Sequence, residues 1–327
     1  MSKVYFSKEL EKILNQIDFT QLGDKVGIKV HFGEEGCDTY LNPDLVRQVY
    51  KKIEELGKDV ALIECNVLYK GSRTNSTDHI NTAKKHGFGD MKIDILDGEK
   101  GDEFVEINSC KIGKGIEKYD SLVVISHFKG HMETGFGGAL KNIGMGLGSR
   151  AGKLDMHSTV RPIVSDACVA CGACVRSCDV NAISIKDGRA FIDENICIGC
   201  AMCIAVCPIK AMEVPWSGRT SQEVQKRIAE YTEAVLRKLP KPICINVLQN
   251  ITEYCDCMGQ KQEPIMKDVG IVYSPDIVAL EKASLDLVDQ ESNGAFDKIN
   301  DCNNLYQLEI AEELGLGSQE YELAELD

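Results

Sequence analysis

The sequence of 327 residues lacks a long apolar run, an excess of basic charge and an apolar leader. Its longest stretch without a charged side chain, Ile196–Ile209, is shorter than the roughly 20 apolar residues that cross a bilayer, so we expect no membrane partner. The formal net charge is −14 and no basic run offsets it, which argues against nucleic acid as a partner. Residues Met1–Lys12 include acidic side chains and no apolar core, unlike a secretory signal.

The fifteen cysteines are the most unusual feature of the composition. Without a secretory signal we expect a cytoplasmic protein, and disulfides are rare in that reducing compartment. Five cysteines are scattered along the chain, where such residues commonly serve as small apolar side chains. These five are Cys37, Cys65, Cys110, Cys244 and Cys302.

Eight further cysteines form two runs with the same spacing, C-x2-C-x2-C-x3-C, which open 29 residues apart at Cys168 and Cys197. This is the spacing of bacterial two-cluster ferredoxins, in which each [4Fe-4S] cluster takes three cysteines from one run and the fourth from the other. The spacing therefore predicts two clusters. The first would be bound by Cys168, Cys171, Cys174 and Cys207, and the second by Cys197, Cys200, Cys203 and Cys178.

Zinc and disulfides are the alternatives for these eight cysteines. A structural zinc site usually needs only four ligands in two pairs, and a disulfide framework does not suit a reducing compartment. The first run departs from the ferredoxin pattern at Asp179, where the second run has Pro208. All eight ligand positions are nevertheless present, so the prediction of two clusters stands.

Apolar segments on both sides of the cysteine runs alternate with helical patterns. Asn42 is a suitable N-cap for a helix between the first two apolar segments, and a strand, helix and strand in this order indicate a largely parallel sheet. The continuous apolar run at Ser121–Ser126 is typical of a buried central strand. The predicted strands include Lys25–Val30, Asp59–Ile63, Ser121–Ser126, Ile243–Leu248 and Gly270–Tyr273.

We therefore expect an α/β fold, with a largely parallel sheet, flanking helices and an inserted α+β ferredoxin-like domain. The predicted domain boundaries are 1–160 for the first part of the α/β domain, 161–218 for the inserted domain and 219–327 for the second part. The last of these would end in an acidic surface helix and a solvated tail. A separate C-terminal domain is the alternative, but two strands make too small a sheet for independent stability.

Parallel sheets bind ligands beyond the carboxyl ends of their strands, which directs attention to the residues that follow each predicted strand. His31 follows the first parallel strand, and His127, Lys129 and His131 follow the central one. We predict catalytic roles for all four, with a metal pair or an anion clamp as the alternatives for the central group. For His31 the alternative is a structural bond to a loop carbonyl.

Two further groups are expected at the same edge of the sheet. Cys255-x-Cys257 is too close for an easy disulfide, but such a pair can chelate a soft metal or line a redox site. The alternative for this pair is two partly buried thiols. Ser274 and Asp276 follow the last predicted strand and are expected there as well.

The glycine-rich segment 135–152 contains a loose match to a dinucleotide fingerprint, Gly146-x-Gly148-x-x-Ala151. It does not follow a strand directly, and no acidic residue ends a further strand about 20 residues on, so binding of NAD is disfavoured. Its backbone could instead cradle an anion with help from Lys141 and Arg150.

Several blocks of sequence, in this order and across essentially the whole chain, resemble the DUF362 family of iron–sulfur proteins. The blocks are HFGEEG, LYKGSRTNSTDH, SHFKGHMETGFGGALKNIGMGLGSRAGKLDMHS, the two cysteine runs, NITEYCDC and DVGIVYSPDIVALEKASLDLV. The resemblance implies the fold, the clusters and a shared pocket, and it implies no particular reaction. The pocket residues it implies are His127, Lys129, His131, Asn142, Cys255, Asp256 and Cys257.

Three functions fit these patterns. The first is a ferredoxin-dependent reductase that transfers electrons to a small-molecule substrate at the strand ends. The second is an electron-transfer protein that only docks a redox partner protein, and the third is an assembly or carrier protein for an additional metal or small cofactor. Histidines and thiols at the strand ends favour the first and third, because a docking surface does not need them.

Overall fold

The computed structural model describes residues 1–300 and 302–326; Asp301 and Asp327, which fall in the predicted second part of the α/β domain, lie outside the described residues. The strands, in chain order, are β1 Ser2–Ser7, β2 Lys25–Lys29, β3 Asp59–Glu64, β4 Ile93–Ile95, β5 Phe104–Ile107, β6 Cys110–Gly113, β7 Ser121–His127, β8 Lys129–His131, β9 Gly135–Gly137, β10 Ile163–Val164, β11 Ile183–Lys186, β12 Arg189–Ile192, β13 Met212–Glu213, β14 Ile243–Leu248, β15 Gly270–Ser274 and β16 Tyr321–Glu325.

The α-helices are α1 Leu10–Leu14, α2 Pro43–Glu54, α3 Ser76–Ala83, α4 Ala139–Leu147, α5 Arg150–His157, α6 Ala173–Arg176, α7 Met202–Val206, α8 Ser221–Lys238, α9 Ile277–Glu291 and α10 Tyr306–Glu313. Short 3₁₀ helices span Phe19–Gln21, Lys114–Lys118, Trp216–Gly218 and Phe296–Lys298, and a π-helical turn spans Lys84–Phe88. None of the helices in the described part of the chain has both the length and the apolar character that a membrane crossing needs.

One eight-stranded sheet dominates the fold, in the order β16-β1-β15-β14-β7-β2-β3-β4. Neighbouring strands are parallel except where β15 pairs with β1 and with β14. This arrangement confirms the predicted α/β class with a largely parallel sheet. The apolar strand β7 lies between β14 and β2, and all of its residues after Ser121 are buried.

Helix signals in the sequence correspond closely to two of the observed helices. Asn42 caps α2 by accepting a hydrogen bond from the backbone N–H of Asp44 at 2.9 Å, and Pro43 occupies the first turn. Thr220 and Glu223 form a reciprocal capping box at the start of α8. Local side-chain chemistry therefore determines where these two helices begin.

The glycine-rich segment forms two helices, α4 and α5, that the sequence pattern did not indicate. Glycine usually weakens a helix, but here it permits close packing between α4 and α8. A Cβ atom at Gly144 would lie 2.3 Å from the carbonyl oxygen of Ile228, which is closer than any real Cβ atom can approach. Tertiary packing thus explains a helix in a segment of low helix propensity.

Two expectations about the C-terminal region were wrong. Because β15 runs opposite to its neighbours, Ser274 and Asp276 lie at the end of the sheet that is opposite to the carboxyl ends of the parallel strands. Asp276 caps α9 by accepting hydrogen bonds from Val278 N–H and Ala279 N–H. The acidic end of the chain is not a solvated tail. It forms β16, which pairs in parallel with β1 along the edge of the sheet.

The segment with the eight cysteines holds only small elements, α6, α7 and the strands β10 to β13, which pair as β10 with β13 and β11 with β12. It has an apolar cluster of its own, which includes Ile183, Ile204 and Met212. Strands before and after this segment belong to the same eight-stranded sheet. The domain boundaries at residues 161 and 218 stay a prediction.

Candidate functional site

A cavity of about 680 Å³ opens at the carboxyl ends of β2, β3, β7 and β14. Helix α4 and the hairpin of β8 and β9 form part of its wall. Predicted site residues that line this cavity are His31, Lys129, His131, Lys141, Asn142, Cys255 and Cys257. His127 and Arg150 are not part of the lining.

Asp256 connects the two central strands beneath the cavity. Its buried carboxylate lies 2.9 Å from His127 Nδ1 and 3.3 Å from Lys129 Nζ, and Lys129 also donates to the carbonyl of His127. Burial alone would raise the pKa of Asp256, but His127 and Lys129 lower it well below its ordinary value. Asp256 thus links His127 and Lys129 beneath the cavity.

Arg73 organises a second network on the β2 side of the cavity. Its buried guanidinium bonds Glu34 at 3.1 Å, Tyr69 Oη at 2.9 Å and His31 Nε2 at 3.0 Å. Tyr69 donates in turn to the carbonyl of Cys257 at 3.1 Å. Sequence reasoning missed Arg73, although it lies in the block LYKGSRTNSTDH that carries the family resemblance, whereas Glu34 follows the first parallel strand in the block HFGEEG.

Lys29 and Glu64 form a buried ion pair of 2.9 Å behind α4, and Lys29 also donates to Asn142 Oδ1 at 2.6 Å. Burial, opposed by Glu64, lowers the pKa of Lys29 to about 8. Glu64 lines the cavity, and its Oε2 has no hydrogen-bond partner among the described residues. Sequence reasoning missed Lys29, because it took this residue as part of an apolar strand, whereas Glu64 directly follows the predicted strand Asp59–Ile63.

Two histidines that face the cavity, His31 and His131, have lowered pKa values. Burial and then the charge of Arg73 lower the pKa of His31 well below its ordinary value, and burial and then Lys141 do the same for His131. His131 Nδ1 accepts a hydrogen bond from the backbone N–H of Glu133 at 3.2 Å, which leaves Nε2 as the protonated nitrogen of a neutral ring. The Nε2–H of His131 can therefore donate to a bound molecule, whereas Nε2 of His31 already accepts from Arg73.

Cys255 and Cys257 line the cavity with their side chains hydrogen-bonded to each other. This bond, with added help from Lys141 and Lys129, lowers the pKa of Cys255 well below that of an ordinary thiol, while it raises that of Cys257. A lowered pKa is the property that a reactive or metal-binding cysteine requires.

Arg150 has a structural role that differs from the anion-binding role predicted for it. Its guanidinium donates to the backbone carbonyls of Val67, Lys100 and Thr74, and it is buried. These acceptors leave little of the guanidinium for a ligand. Arg150 therefore holds together the loops that follow β3 and β4.

The eight cysteines of the two runs lie together in a second region. A small pocket there is lined by all four cysteines predicted for the first cluster, Cys168, Cys171, Cys174 and Cys207. Backbone N–H groups of Ala190 and Ala211 donate to the sulfur atoms of Cys168 and Cys207 at 3.4 and 3.1 Å.

The four cysteines predicted for the second cluster are also neighbours. Burial, and then the charges of Cys178 and Cys197, raise the pKa of Cys200. Burial, and then Cys200 and Cys197, raise the pKa of Cys203 to about 12. Each predicted set thus combines residues from both runs.

In residues 1–300 and 302–326, no three His, Cys, Asp or Glu side chains converge on one metal-ion position. A [4Fe-4S] cube differs from a single ion, because each of its irons takes one thiolate and the four thiolates surround a volume. The chemistry of the donors and their grouping fit such a cube better than a zinc ion.

The cysteine region adjoins the strand-end cavity. Leu68 lines the cavity and also belongs to the apolar cluster that contains Cys174, Cys203 and Cys207. Lys70 donates to the carbonyl of Ala205 in α7 at 3.3 Å, which ties the loop after β3 to the second cysteine run.

The fold and site define the class, an α/β protein with a strand-end cavity beside a cysteine-rich region. The chain matches the family described as domain of unknown function (DUF362) over residues 26–286, and it belongs to that family. A search of curated proteins finds no match. Among solved structures, the lactate racemase apoprotein from Thermoanaerobacterium thermosaccharolyticum is similar with a TM-score of 0.35 and 14% identity, covering 76% of this chain and 50% of that chain. This chain thus spans about half the length of that structure.

Proposed function

We propose that this protein is an iron–sulfur redox protein in which two [4Fe-4S] clusters supply electrons to a substrate in the strand-end cavity. The position of Leu68 carries the proposal, because this side chain belongs to both the cavity wall and the apolar cluster around the cysteines. Electron transfer between two sites in a protein requires that they lie close together, and this arrangement provides that proximity.

The two sets of cysteines would hold the clusters, each of which can carry one electron when bound. The backbone N–H groups that donate to Cys168 and Cys207 stabilise negative charge on those sulfur atoms. Ala182 N–H donates to Cys178 Sγ in the same way at 3.2 Å. Hydrogen bonds of this kind are a principal means by which proteins adjust cluster potentials.

In the cavity, the residues of this chain can supply protons and a redox group. His131 can donate a proton from Nε2, while the ammonium of Lys141 stabilises negative charge. Although Cys255 and Cys257 are too close for an easy disulfide, an oxidant can join them in a strained S–S bond, which is then easily reduced. Its reduction consumes two electrons and two protons, breaks the S–S bond and yields two thiols.

The thiol pair provides a test that needs no knowledge of the substrate. Anaerobic protein is treated with diamide, the Cys255–Cys257 disulfide is verified by peptide mass spectrometry, and the protein is then photoreduced with deazaflavin. We expect recovery of both thiols in the wild type and slow recovery in Cys200→Ser, which lacks one cluster ligand. Equal recovery in both proteins would count against electron delivery to the cavity.

A carrier of a soft metal is a second candidate, favoured by Cys255 and Cys257, two cysteines that line the same cavity. Metal analysis of the Cys255→Ser/Cys257→Ser double variant distinguishes the two functions. Loss of a metal other than iron, with the iron content unchanged, would support the carrier.

A further inference from the structure

The charged side chains of the strand-end cavity differ in whether they have an internal partner. Four cationic residues line it, Arg73, Lys129, Lys141 and Lys153. Arg73 is paired with Glu34, and Lys129 with Asp256 at 3.3 Å. The first two cations are thus already neutralised by carboxylates of the protein.

Lys153 is also satisfied, because its ammonium donates to the carbonyls of Gly148 and Gly146 at 2.6 and 3.3 Å. Lys141 is different. It is half-buried and lines the cavity, and its ammonium forms no hydrogen bond or close ion pair with any residue in the described part of the chain, although its charge lowers the pKa of Cys255 and of Glu133. An ammonium in such a position is available for an anion from outside.

The anions that face the cavity do not balance its cations. Its lining carboxylates are Glu64, which is paired with Lys29, and Glu133, which lies 3.2 Å from His157 Nδ1. When the buried partners are counted as well, five cations face four carboxylates. The cations are Lys29, Arg73, Lys129, Lys141 and Lys153, and the carboxylates are Glu34, Glu64, Glu133 and Asp256. In a protein with a net charge of −14, this local excess of positive charge is a feature of the cavity and not of the chain.

The mouth of the cavity is apolar, in contrast to its charged interior. Met132, Trp216 and Met258 line it and are 60%, 48% and 40% exposed, although large apolar side chains are usually covered. The cavity volume of about 680 Å³ lies within the range of small-molecule sites. A small ligand would therefore meet apolar side chains at the mouth and an unpaired ammonium inside.

We propose that this cavity binds an organic anion whose acidic group pairs with Lys141 and whose aromatic or alkyl body packs against Met132, Trp216 and Met258. That this anion is the substrate of the redox reaction rests on the proposed function. Binding of the anion itself does not require the clusters.

Equilibrium dialysis of the anaerobically purified protein tests the proposal with two probes that share one ring system, 1-naphthalenesulfonate and uncharged 1-naphthalenemethanol. We expect the sulfonate to bind the wild type at least about tenfold more tightly than the alcohol, the size of one good charge-assisted contact. Lys141→Gln should abolish this preference without changing binding of the alcohol. Trp216→Ala should weaken both probes.

Two further variants guard against a folding defect. Lys141→Arg keeps the charge and should retain the preference, while Lys114→Gln removes an exposed lysine outside the cavity and should change nothing. Equal affinity for the two probes, a preference that survives in Lys141→Gln, or no binding of the sulfonate would overturn the proposal. Iron is measured in every sample, so Lys141-dependent binding by protein without iron would refute the redox function and leave this inference intact.

Discussion

His127 Nδ1 lies 2.9 Å from each carboxylate oxygen of Asp256, and both groups are buried where β7 and the loop after β14 meet. This contact joins two of the blocks of sequence that carry the family resemblance, which are separated by more than a hundred residues along the chain. It also places Asp256 beside Lys129, so one carboxylate contacts both the histidine and the lysine of this block.

Replacing Asp256 by Asn should destabilise the protein by about 3–5 kcal/mol at pH 7, because His127 and Lys129 lose a buried partner. The folded-state pKa of Asp256 is lowered, so its contribution is present above its ordinary value of 3.8 and is lost as the pH falls further. The difference in unfolding free energy should therefore shrink in acid. Urea titrations at several pH values measure it, with exposed Asp102→Asn as the control, and a constant difference would contradict this account.

Glu281 should give the opposite dependence on pH. Burial raises its pKa to about 7 in the folded protein, against an ordinary value of 4.5. The folded state therefore binds more protons than the unfolded state between these values, and stability should fall as the pH rises from 4.5 to 7. Glu281→Gln should remove that fall. At pH 8 the free energy of unfolding of this variant should exceed that of the wild type by about 3 kcal/mol. Glu291→Gln at the exposed end of the same helix should behave like the wild type.

Cys255 should be alkylated selectively near neutral pH. Its pKa is lowered by Cys257 and by the lysines, whereas burial raises the pKa of Cys37, and each of the two residues is 5% exposed. Iodoacetamide reacts with thiolates, so peptide mass spectrometry at pH 7 should show modification of Cys255 well before Cys37. Cys257→Ser should slow the reaction of Cys255. Equal rates for Cys255 and Cys37 would show that the thiolate does not form.

Loss of a cysteine from one predicted set should remove the iron of that set and leave the iron of the other set in place. Cys171→Ser removes one ligand of the first set and should lower the iron content from about eight to about four atoms per chain after anaerobic purification. Cys257→Ser lies outside both sets and should keep about eight. A variant at Cys171 with unchanged iron would require a different assignment of ligands.

Polar residues that directly follow apolar strands mark the carboxyl ends of those strands, and in a parallel sheet these ends lie together. The sequence therefore predicted where the cavity lies. His31, Lys129, Cys255 and Cys257 meet for this reason. The composition of a strand does not reveal its direction in the sheet. For that reason the prediction that Ser274 lies at the cavity was wrong, because β15 is antiparallel to β14.

Other features depend on packing that no local pattern reveals. Helix α4 forms in a glycine-rich segment because Gly144 lets it approach α8, and this helix brings Lys141 and Asn142 to the cavity. The buried bonds of Arg73 to Glu34 and His31 join loops far apart in the sequence. The acidic β16 is an edge strand, where charged side chains can point to solvent, and its composition therefore suggested a tail.

Counting iron and acid-labile sulfide in anaerobically purified protein tests the central claim most directly. The account predicts about eight iron and about eight sulfide per chain, with visible absorbance that bleaches on reduction by dithionite. Protein that contains zinc in place of iron, or that takes up no iron and sulfide on anaerobic reconstitution, would contradict it.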